Sequence, residues 1–139
     1  MEIKIFTDGG SRGNPGPAAI GVWAEDNQGN NLFKASIFIG QATNNTAEYL
    51  AFIKSVELFE SHFSTLQPQK VTWFLDSQLV VEQLNKSWKI KQDHIRDLAQ
   101  KAWQLLNQLT LPYTISHIPR EKNQMADKMV NLALDHQSK

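Results

Sequence analysis

Residues 3–23 read Ile-Lys-Ile-Phe-Thr-Asp-Gly-Gly-Ser-Arg-Gly-Asn-Pro-Gly-Pro-Ala-Ala-Ile-Gly-Val-Trp, and this segment sets the architecture of the chain. Ile3 and Ile5 alternate with polar or aromatic neighbours, which is the two-residue period of a β-strand. The glycines and prolines of residues 9–17 predict a loop that is neither helix nor sheet interior, and a second apolar run follows. Asp8 is therefore expected at the mouth of a strand, beside a turn whose main-chain N–H groups a phosphate or polymer can approach. A hairpin with an ornate loop is the simpler alternative.

The composition is that of a single globular domain. The chain has 139 residues, of which 41% are hydrophobic and 20% charged, and this length is sufficient for a hydrophobic core. Cysteine is absent, which excludes disulfides, thiolate metal ligands and cysteine nucleophiles. The 14 basic and 14 acidic residues balance, so the total charge does not favour a nucleic-acid partner. Screening beyond about 10 Å nevertheless makes local patches more important than the total.

Localisation and assembly are expectations from the same composition. No apolar run approaches the ~18 residues of a membrane-spanning helix, so we expect no membrane partner. The first residues enter a strand without a charged and then apolar leader, so we expect a cytoplasmic protein that is not secreted. A monomer is the default oligomeric state.

Hydrophobic periodicity predicts the remaining elements. Residues 18–25 and 32–39 are typical of strands joined by a turn, so three sequential antiparallel strands come first. A helix follows to about residue 60, capped by Asn44, Asn45 or Thr46. The later elements are a buried strand at 71–75, a short helix, an amphipathic helix with its apolar stripe at 95–109, a strand at 113–118 and a helix at 124–135.

Four carboxylates occupy comparable places in this pattern. Asp8 and Asp76 end strands, whereas Glu48 and Asp127 lie in the first turns of helices, on or beside the apolar stripe. Taken singly, each has a structural explanation as a cap or as an acid near a helix N-terminus. Because strand-helix-strand connections place parallel strands side by side, we expect the two strand acids at one sheet edge, where helices can add the other two.

A cluster of four carboxylates has a chemical consequence. Like charges at short range repel unless cations lie among them. An all-oxygen ligand set favours Mg²⁺ or Mn²⁺ over zinc. Two such ions about 4 Å apart serve in-line attack on phosphorus, so the pattern favours phosphoryl-transfer chemistry.

Four segments together resemble ribonuclease H of the type 1 class, and the likeness runs essentially from end to end. They are residues 7–16 (Thr-Asp-Gly-Gly-Ser-Arg-Gly-Asn-Pro-Gly), 43–48 (Thr-Asn-Asn-Thr-Ala-Glu), 75–78 (Leu-Asp-Ser-Gln) and 117–127 (His-Ile-Pro-Arg-Glu-Lys-Asn-Gln-Met-Ala-Asp). The resemblance implies an α/β protein with the ribonuclease H-like fold: a five-stranded mixed sheet, three antiparallel strands and then two parallel ones, flanked by helices. It also implies one catalytic domain over residues 1–139. The implied activity is endonucleolytic hydrolysis of the RNA strand of RNA–DNA hybrids, leaving 5′-phosphate and 3′-hydroxyl ends.

The resemblance implies catalytic roles for six residues. The family's metal-binding acids match Asp8, Glu48, Asp76 and Asp127. They are expected to hold two Mg²⁺ ions, with Mn²⁺ as the other candidate. His117 falls where bacterial members carry a histidine that assists proton transfer or product release. In similar variants an arginine is the proposed helper, so Arg120 competes with His117 for this role.

The resemblance also implies the contacts to an RNA–DNA hybrid. Amide side chains can both donate to and accept from a ribose 2′-hydroxyl, and those at the minor-groove positions are Asn14, Asn44, Asn45 and Gln78. Thr43 is expected on a DNA-strand phosphate. The other expected contacts are Gly9, Gly10, Ser11, Arg12, Gly13, Ser77, Lys86, Trp88, Lys89 and Asn123.

The sequence departs from the bacterial pattern at the basic protrusion, which is reduced to Lys-Ser-Trp-Lys-Ile-Lys at residues 86–91. Lysines beside an aromatic ring suit a nucleic-acid backbone, but a solvated loop with one anchoring tryptophan fits equally well. We also expect no separate hybrid-binding domain before the catalytic segment, and we expect these departures to affect affinity and processivity more than activity. A non-catalytic nucleic-acid-binding module on the same fold is the alternative function.

Overall fold

The computed structural model describes residues 1–137, which form five strands and four helices. In chain order these are β1 (Glu2–Ser11), β2 (Gly16–Glu25), β3 (Asn31–Ala42), α1 (Asn44–Leu66), β4 (Lys70–Leu75), α2 (Gln78–Leu84), α3 (Asp93–Asn107), β5 (Tyr113–His117) and α4 (Gln124–Gln137). A 3₁₀ turn, Arg120–Lys122, precedes α4. Among residues 1–137, no helix has both the length and the apolar character needed to cross a membrane.

The strands form one mixed sheet in the order β3-β2-β1-β4-β5. β1 pairs antiparallel with β2, and β2 with β3, whereas β4 runs parallel to both β1 and β5. This arrangement confirms the predicted sheet of three antiparallel strands followed by two parallel ones. Thr7 of β1 is in register with Leu75 of β4. The next residues, Asp8 and Asp76, therefore lie side by side at the carboxyl end of this parallel pair.

α1 supplies the largest side chains of the hydrophobic core. Phe52 and Phe59 of this helix pack on Trp73 of β4, with ring centroids 5.5 and 5.7 Å apart. The Trp73 indole donates a hydrogen bond to Ser55 Oγ at 2.8 Å, so its buried N–H has a partner. The buried stripe of α3 extends the same core with Ile95, Ala99, Ala102 and Leu106.

α4 lies on the opposite face of the sheet from α1. Adjacent residues of a strand point to opposite faces. A Cβ added to Gly9 would meet Ala47 of α1, whereas one added to Gly10 would meet Val130 of α4. A second, smaller core joins α4 to β2 through Ala19, Val130, Ala133 and Leu134. The sheet edge that bears the strand acids is therefore flanked by a helix on each face.

The prediction of a loop beginning at residue 9 is wrong. β1 continues through Gly9 and Gly10, which pair with Ile20 and Ala19 of β2. A Cβ on Gly9 would lie 2.2 Å from the carbonyl of Ala47, so α1 crosses the strand where no side chain fits. The first glycine of the segment serves helix packing inside a sheet, and the turn begins only after Ser11.

The predicted bounds of α1 are corrected at both ends. Thr43 is the N-cap, and its Oγ1 accepts a hydrogen bond from Thr46 N at 3.2 Å, where the sequence favoured a cap at residues 44–46. The helix continues past residue 60, because Phe63 and Leu66 still pack against the main core.

Candidate active site

The central carboxylates of the site come from the two parallel strands in the middle of the sheet. Asp8 does not end its strand as predicted: it lies within β1, directly after the last residue that pairs with β4, and is only 8% exposed. Asp76 directly follows β4 and is half-buried. Their strands are neighbours in register, so the sheet itself fixes the spacing of the two carboxylates. The carboxyl ends of parallel strands are where open α/β sheets place their functional crevices.

Glu48 reaches this edge from α1. Its Oε1 accepts a hydrogen bond from the main-chain N–H of Gly9 at 3.0 Å, which fixes the carboxylate next to Asp8. Its Oε2 is buried and has no hydrogen-bond partner among the described residues. A buried carboxylate oxygen without a partner is unfavourable, and a bound cation is the ligand that would satisfy it.

One carboxylate oxygen from each of Asp8, Glu48 and Asp76 lies within 4.8 Å of the others. Asp127, on the first turn of α4, lines the same cleft of about 340 Å³. The structure thus brings together the four acids that the sequence singled out, two from strands and one from each flanking helix.

Burial and mutual repulsion perturb the ionisation of the cluster. Burial raises the pKa of Asp8 to about 7; its contact with the Glu48 carboxyl opposes the rise, and the charges of Asp76 and Asp127 reinforce it. Burial, and then the contact with Asp8, raises the pKa of Glu48 well above its usual value. Both shifts express the cost of placing several negative charges close together in a buried site.

The donor set fits a hard divalent cation. All the candidate ligands are carboxylate oxygens, which suit Mg²⁺ or Mn²⁺ and do not select zinc. The unpartnered Glu48 Oε2 and the short spacing of the three acids are the observations that support this fit. The residues placed to hold the ion or ions are Asp8, Glu48, Asp76 and Asp127.

Asn123 lies inside the protein, which contradicts its predicted role as a nucleic-acid contact. Its side chain is completely buried, and Nδ2 donates hydrogen bonds of 2.9 Å to the carbonyl oxygen of Thr7 and to Asp76 Oδ2. It therefore orients a carboxylate of the cluster. A signal in the sequence was available, because the Asn123 carbonyl accepts the first helical hydrogen bond of α4, and asparagine favours such caps.

The contacts of His117 and Arg120 distinguish these two candidates for the assisting role. His117 ends β5, and its Nε2 lies 3.3 Å from the carbonyl oxygen of Asp76. Arg120, in the 3₁₀ turn, lines the acidic cleft with a side chain that is 81% exposed, and its Nη2 lies 3.7 Å from Asp127 Oδ1. Arg120 is the better placed of the two to meet a substrate in the cleft.

Polar side chains link the β1–β2 loop to the start of α1 along the rim of the cleft. Asn14 Oδ1 accepts a hydrogen bond from Asn44 N at 2.9 Å. Asn44 Oδ1 in turn accepts from Ser11 N at 2.9 Å and from Ser11 Oγ at 3.1 Å. The network holds these groups together at the surface, beside exposed Asn45.

The other expected nucleic-acid contacts surround this rim. Ser77 caps α2 by accepting a hydrogen bond from Val80 N at 3.3 Å, and Gln78 beside it is exposed. Arg12 lines the cleft and forms an ion pair with Asp135 of α4. Gly13, in the turn, has φ +99°, a conformation that favours glycine.

The connector between α2 and α3, residues 86–91, lies outside the cleft. Trp88 is 46% exposed, so it is not a buried anchor of the loop, which was one of the two interpretations of this segment. Trp103 of α3 serves that purpose: its indole donates to the Leu84 carbonyl at 2.9 Å, and the Lys86 ammonium lies 4.8 Å from its ring centroid. Lys89 is exposed beside Trp88.

The mixed sheet and the acidic cleft at its edge define the class of this protein, and the family model described as Reverse transcriptase-like matches residues 6–133. A bifunctional protein of Mycobacterium tuberculosis is 37% identical over 137 residues; the match covers 97% of this chain and 36% of that protein. A protein named ribonuclease H from Ruthia magnifica subsp. Calyptogena magnifica is 31% identical over 149 residues, with 96% of each chain covered. The chain belongs to the ribonuclease H family of enzymes.

A solved structure supports the same assignment in three dimensions. LC11-RNase H1, isolated from compost, has been solved in complex with an RNA/DNA hybrid. The present chain matches that structure with a TM-score of 0.92 and 39% identity, over 99% of both chains. The chain thus spans the whole of some relatives but only about a third of the mycobacterial ones.

Proposed function

We propose that residues 1–139 are a single catalytic domain that hydrolyses the RNA strand of RNA–DNA hybrids with the help of divalent metal ions, leaving 5′-phosphate and 3′-hydroxyl ends. The site takes two ions, Mg²⁺ or Mn²⁺. The domain acts as a monomer in the cytoplasm, and its cysteine-free sequence suits a reducing compartment.

The observation that carries this proposal is the meeting of Asp8, Glu48 and Asp76 within 4.8 Å, with an unpartnered Glu48 oxygen among them. When bound, divalent ions supply activation of the attacking water and neutralisation of charge at the leaving 3′-oxygen. The chain's own part is to fix the carboxylates before substrate arrives: Gly9 N–H holds Glu48, and Asn123 holds Asp76. Such preorganisation is a large part of catalysis in phosphoryl transfer.

The rim of the cleft supports a hybrid as the substrate. Asn14, Asn44 and Ser11 form a connected polar network beside the acids, and Asn45 and Gln78 are exposed next to it. Amides that can donate and accept suit the 2′-hydroxyls of an RNA strand. The similarity to LC11-RNase H1, whose structure contains an RNA/DNA hybrid, adds independent support.

The test is cleavage of an end-labelled RNA–DNA hybrid in Mg²⁺, in Mn²⁺ and in EDTA, with single-stranded RNA, duplex RNA and duplex DNA alongside. We expect cleavage of the RNA strand of the hybrid alone, complete loss in EDTA, and products whose 3′ ends a polymerase can extend without phosphatase treatment. Hybrid binding without cleavage would identify a non-catalytic module. The absence of both binding and cleavage would overturn the proposal.

Arg120→Ala should lower kcat on the hybrid by about 10- to 100-fold, near the lower end of what loss of a preorganised electrostatic group costs. Its guanidinium lines the cleft beside Asp127, where a cation can stabilise charge on the phosphate or assist its departure. His117→Ala should change kcat by no more than about threefold, because His117 contacts the main-chain carbonyl of Asp76 and does not contact its carboxylate.

Arg120→Lys is the matched control for this comparison. It keeps the charge and loses the planar guanidinium, so it should recover part of the activity. Single-turnover rates at saturating enzyme separate the chemical step from product release. A larger defect in His117→Ala than in Arg120→Ala would reverse the assignment.

A further inference from the structure

The connector combines positive charge with an exposed aromatic ring. Lys86, Lys89 and Lys91 supply the charge, and Trp88 beside them is 46% exposed. Ordering a mobile loop on binding costs free energy, so such groups help most when they are already fixed in the free protein. The contacts that fix the connector in the free protein therefore affect how much it can contribute to binding.

A buried amide on α2 provides the link. The Gln83 side chain is only 6% exposed, and its Nε2 donates a hydrogen bond to the Lys89 carbonyl at 3.3 Å. Its Oε1 accepts a hydrogen bond from the Tyr49 hydroxyl at 2.8 Å. Tyr49 is completely buried and follows Glu48 on α1. One side chain thus ties the connector backbone to the helix that supplies an acid of the cleft.

Other contacts also hold the connector: Trp88 N donates to the Glu82 carbonyl at 3.2 Å, and Ile90 packs against the main core. Arg96 Nη2 donates to the Ile90 carbonyl at 2.9 Å, and this arginine belongs to α3, the helix that the connector enters. Gln83 differs in linking the connector to α1 through hydrogen bonds at both ends of its amide. A buried amide is costly unless both of its ends are bonded, and leucine would fill a purely packing position more cheaply.

We propose that Gln83 is a positioning residue for nucleic-acid binding. It fixes Lys89 and Trp88 relative to α1, so that one duplex contacts the connector and the acidic cleft together. This inference rests on the proposed function, because the duplex is the RNA–DNA hybrid.

The anchor itself is tested in the free protein, without substrate. Gln83→Leu removes both hydrogen bonds at similar volume, and Gln104→Leu makes the same change on the exposed surface of α3. We expect amide hydrogen exchange across residues 86–91 to accelerate about tenfold or more in Gln83→Leu and to stay unchanged in Gln104→Leu. Tyr49→Phe, which keeps the ring and removes the hydroxyl, should accelerate it by a smaller factor. Unchanged exchange in both Gln83→Leu and Tyr49→Phe would overturn the proposal.

The consequence for binding is tested by steady-state kinetics on the hybrid. Gln83→Leu should raise KM about five- to tenfold and leave kcat within about twofold, as expected for a lost binding contribution. In a Trp88→Ala/Lys89→Ala background the same change should raise KM less than about twofold, because the groups it positions are gone. A fall in kcat at constant KM, or an undiminished effect in that background, would overturn the proposal. Absence of cleavage by the wild type would instead contradict the proposed function, while the exchange experiment would still report on the anchor.

Discussion

Asp8→Asn is expected to abolish cleavage of the hybrid and, when divalent metal is absent, to make the folded protein more stable. Cleavage should fall by about 10³-fold or more, because the variant removes a charged ligand from the centre of the site. Most substitutions in a protein interior lower the stability of the fold, whereas this one is expected to raise it. The two effects together distinguish a metal site from an ordinary structural cluster.

The gain follows from the perturbed ionisation of Asp8. Its carboxyl is 8% exposed, and burial raises its pKa from 3.8 to about 7. The unfolded chain releases this proton near pH 4, so between about pH 4 and pH 7 the folded state binds more protons than the unfolded state. This group therefore lowers the stability of the wild type as pH rises through that window. Above it, the folded protein holds a buried charge that asparagine lacks.

The expected gain in stability of Asp8→Asn can be measured by thermal unfolding in EDTA. A rise in pKa from 3.8 to about 7 corresponds to about 4 kcal/mol, and we expect about half of it to appear because the contact with Glu48 weakens in the variant. That difference predicts a Tm about 6–10 °C higher for Asp8→Asn at pH 8. The difference should shrink towards pH 5, where the wild-type carboxyl is protonated. Mg²⁺ should then raise the Tm of the wild type more than that of the variant.

Asp26→Asn is the control for this experiment. Asp26 lies in the β2–β3 turn, and its Oδ1 accepts hydrogen bonds from Gln28 N at 2.9 Å and Asn30 N at 3.0 Å. Hydrogen bonds from Asn30 hold its pKa below the usual value, so removing this charge should not stabilise the protein at pH 8. Cleavage should be unchanged. A Tm for Asp8→Asn at or below the wild-type Tm under the same conditions would contradict the repulsion argument.

The sequence predicted the positions of the acids because local patterns mark the strands and helices that carry them. Strand alternation placed Asp8, a buried apolar run placed Asp76, and helical stripes placed Glu48 and Asp127. Parallel crossover geometry then constrains where the ends of the strands meet. These signals depend on neighbours within a few residues, so they can be obtained without the fold.

The features that the sequence left out depend on contacts between distant segments. Asn123 bonds to Thr7, which lies 116 residues earlier in the chain, and Gln83 bonds to Tyr49, 34 residues away. No period or cap signal shows which polar side chain will be buried under a carboxylate or a connector. Gly9 is a similar case, because the sequence marks it as a turn residue and only the packing of α1 reveals why glycine is required.

Gly9→Ala is expected to destabilise the protein by about 3 kcal/mol or more, or to prevent folding, because of overpacking against main-chain atoms. The added Cβ would lie 2.2 Å from the carbonyl carbon and oxygen of Ala47 and 2.5 Å from Glu48 N. These atoms belong to a helix and cannot rotate away as a flexible side chain can. Relief requires α1 to move off the sheet, which would also break the Gly9 N–H hydrogen bond to Glu48. Any folded fraction should therefore cleave the hybrid poorly.

Gly10→Ala provides the matched comparison one residue further along β1. Its added Cβ would meet Val130 Cγ1 at 3.7 Å, an ordinary van der Waals contact, so we expect a change within about 1 kcal/mol. Urea unfolding of the two variants, followed by circular dichroism, measures the difference directly. Equal midpoints would show that α1 tolerates a side chain beneath it, and the close crossing would then not explain the first glycine. A large loss of stability confined to Gly9→Ala would show that Gly9 is needed both for packing of α1 and for the site. The close approach of α1 that excludes a side chain at Gly9 also brings Glu48 to the main chain beside Asp8.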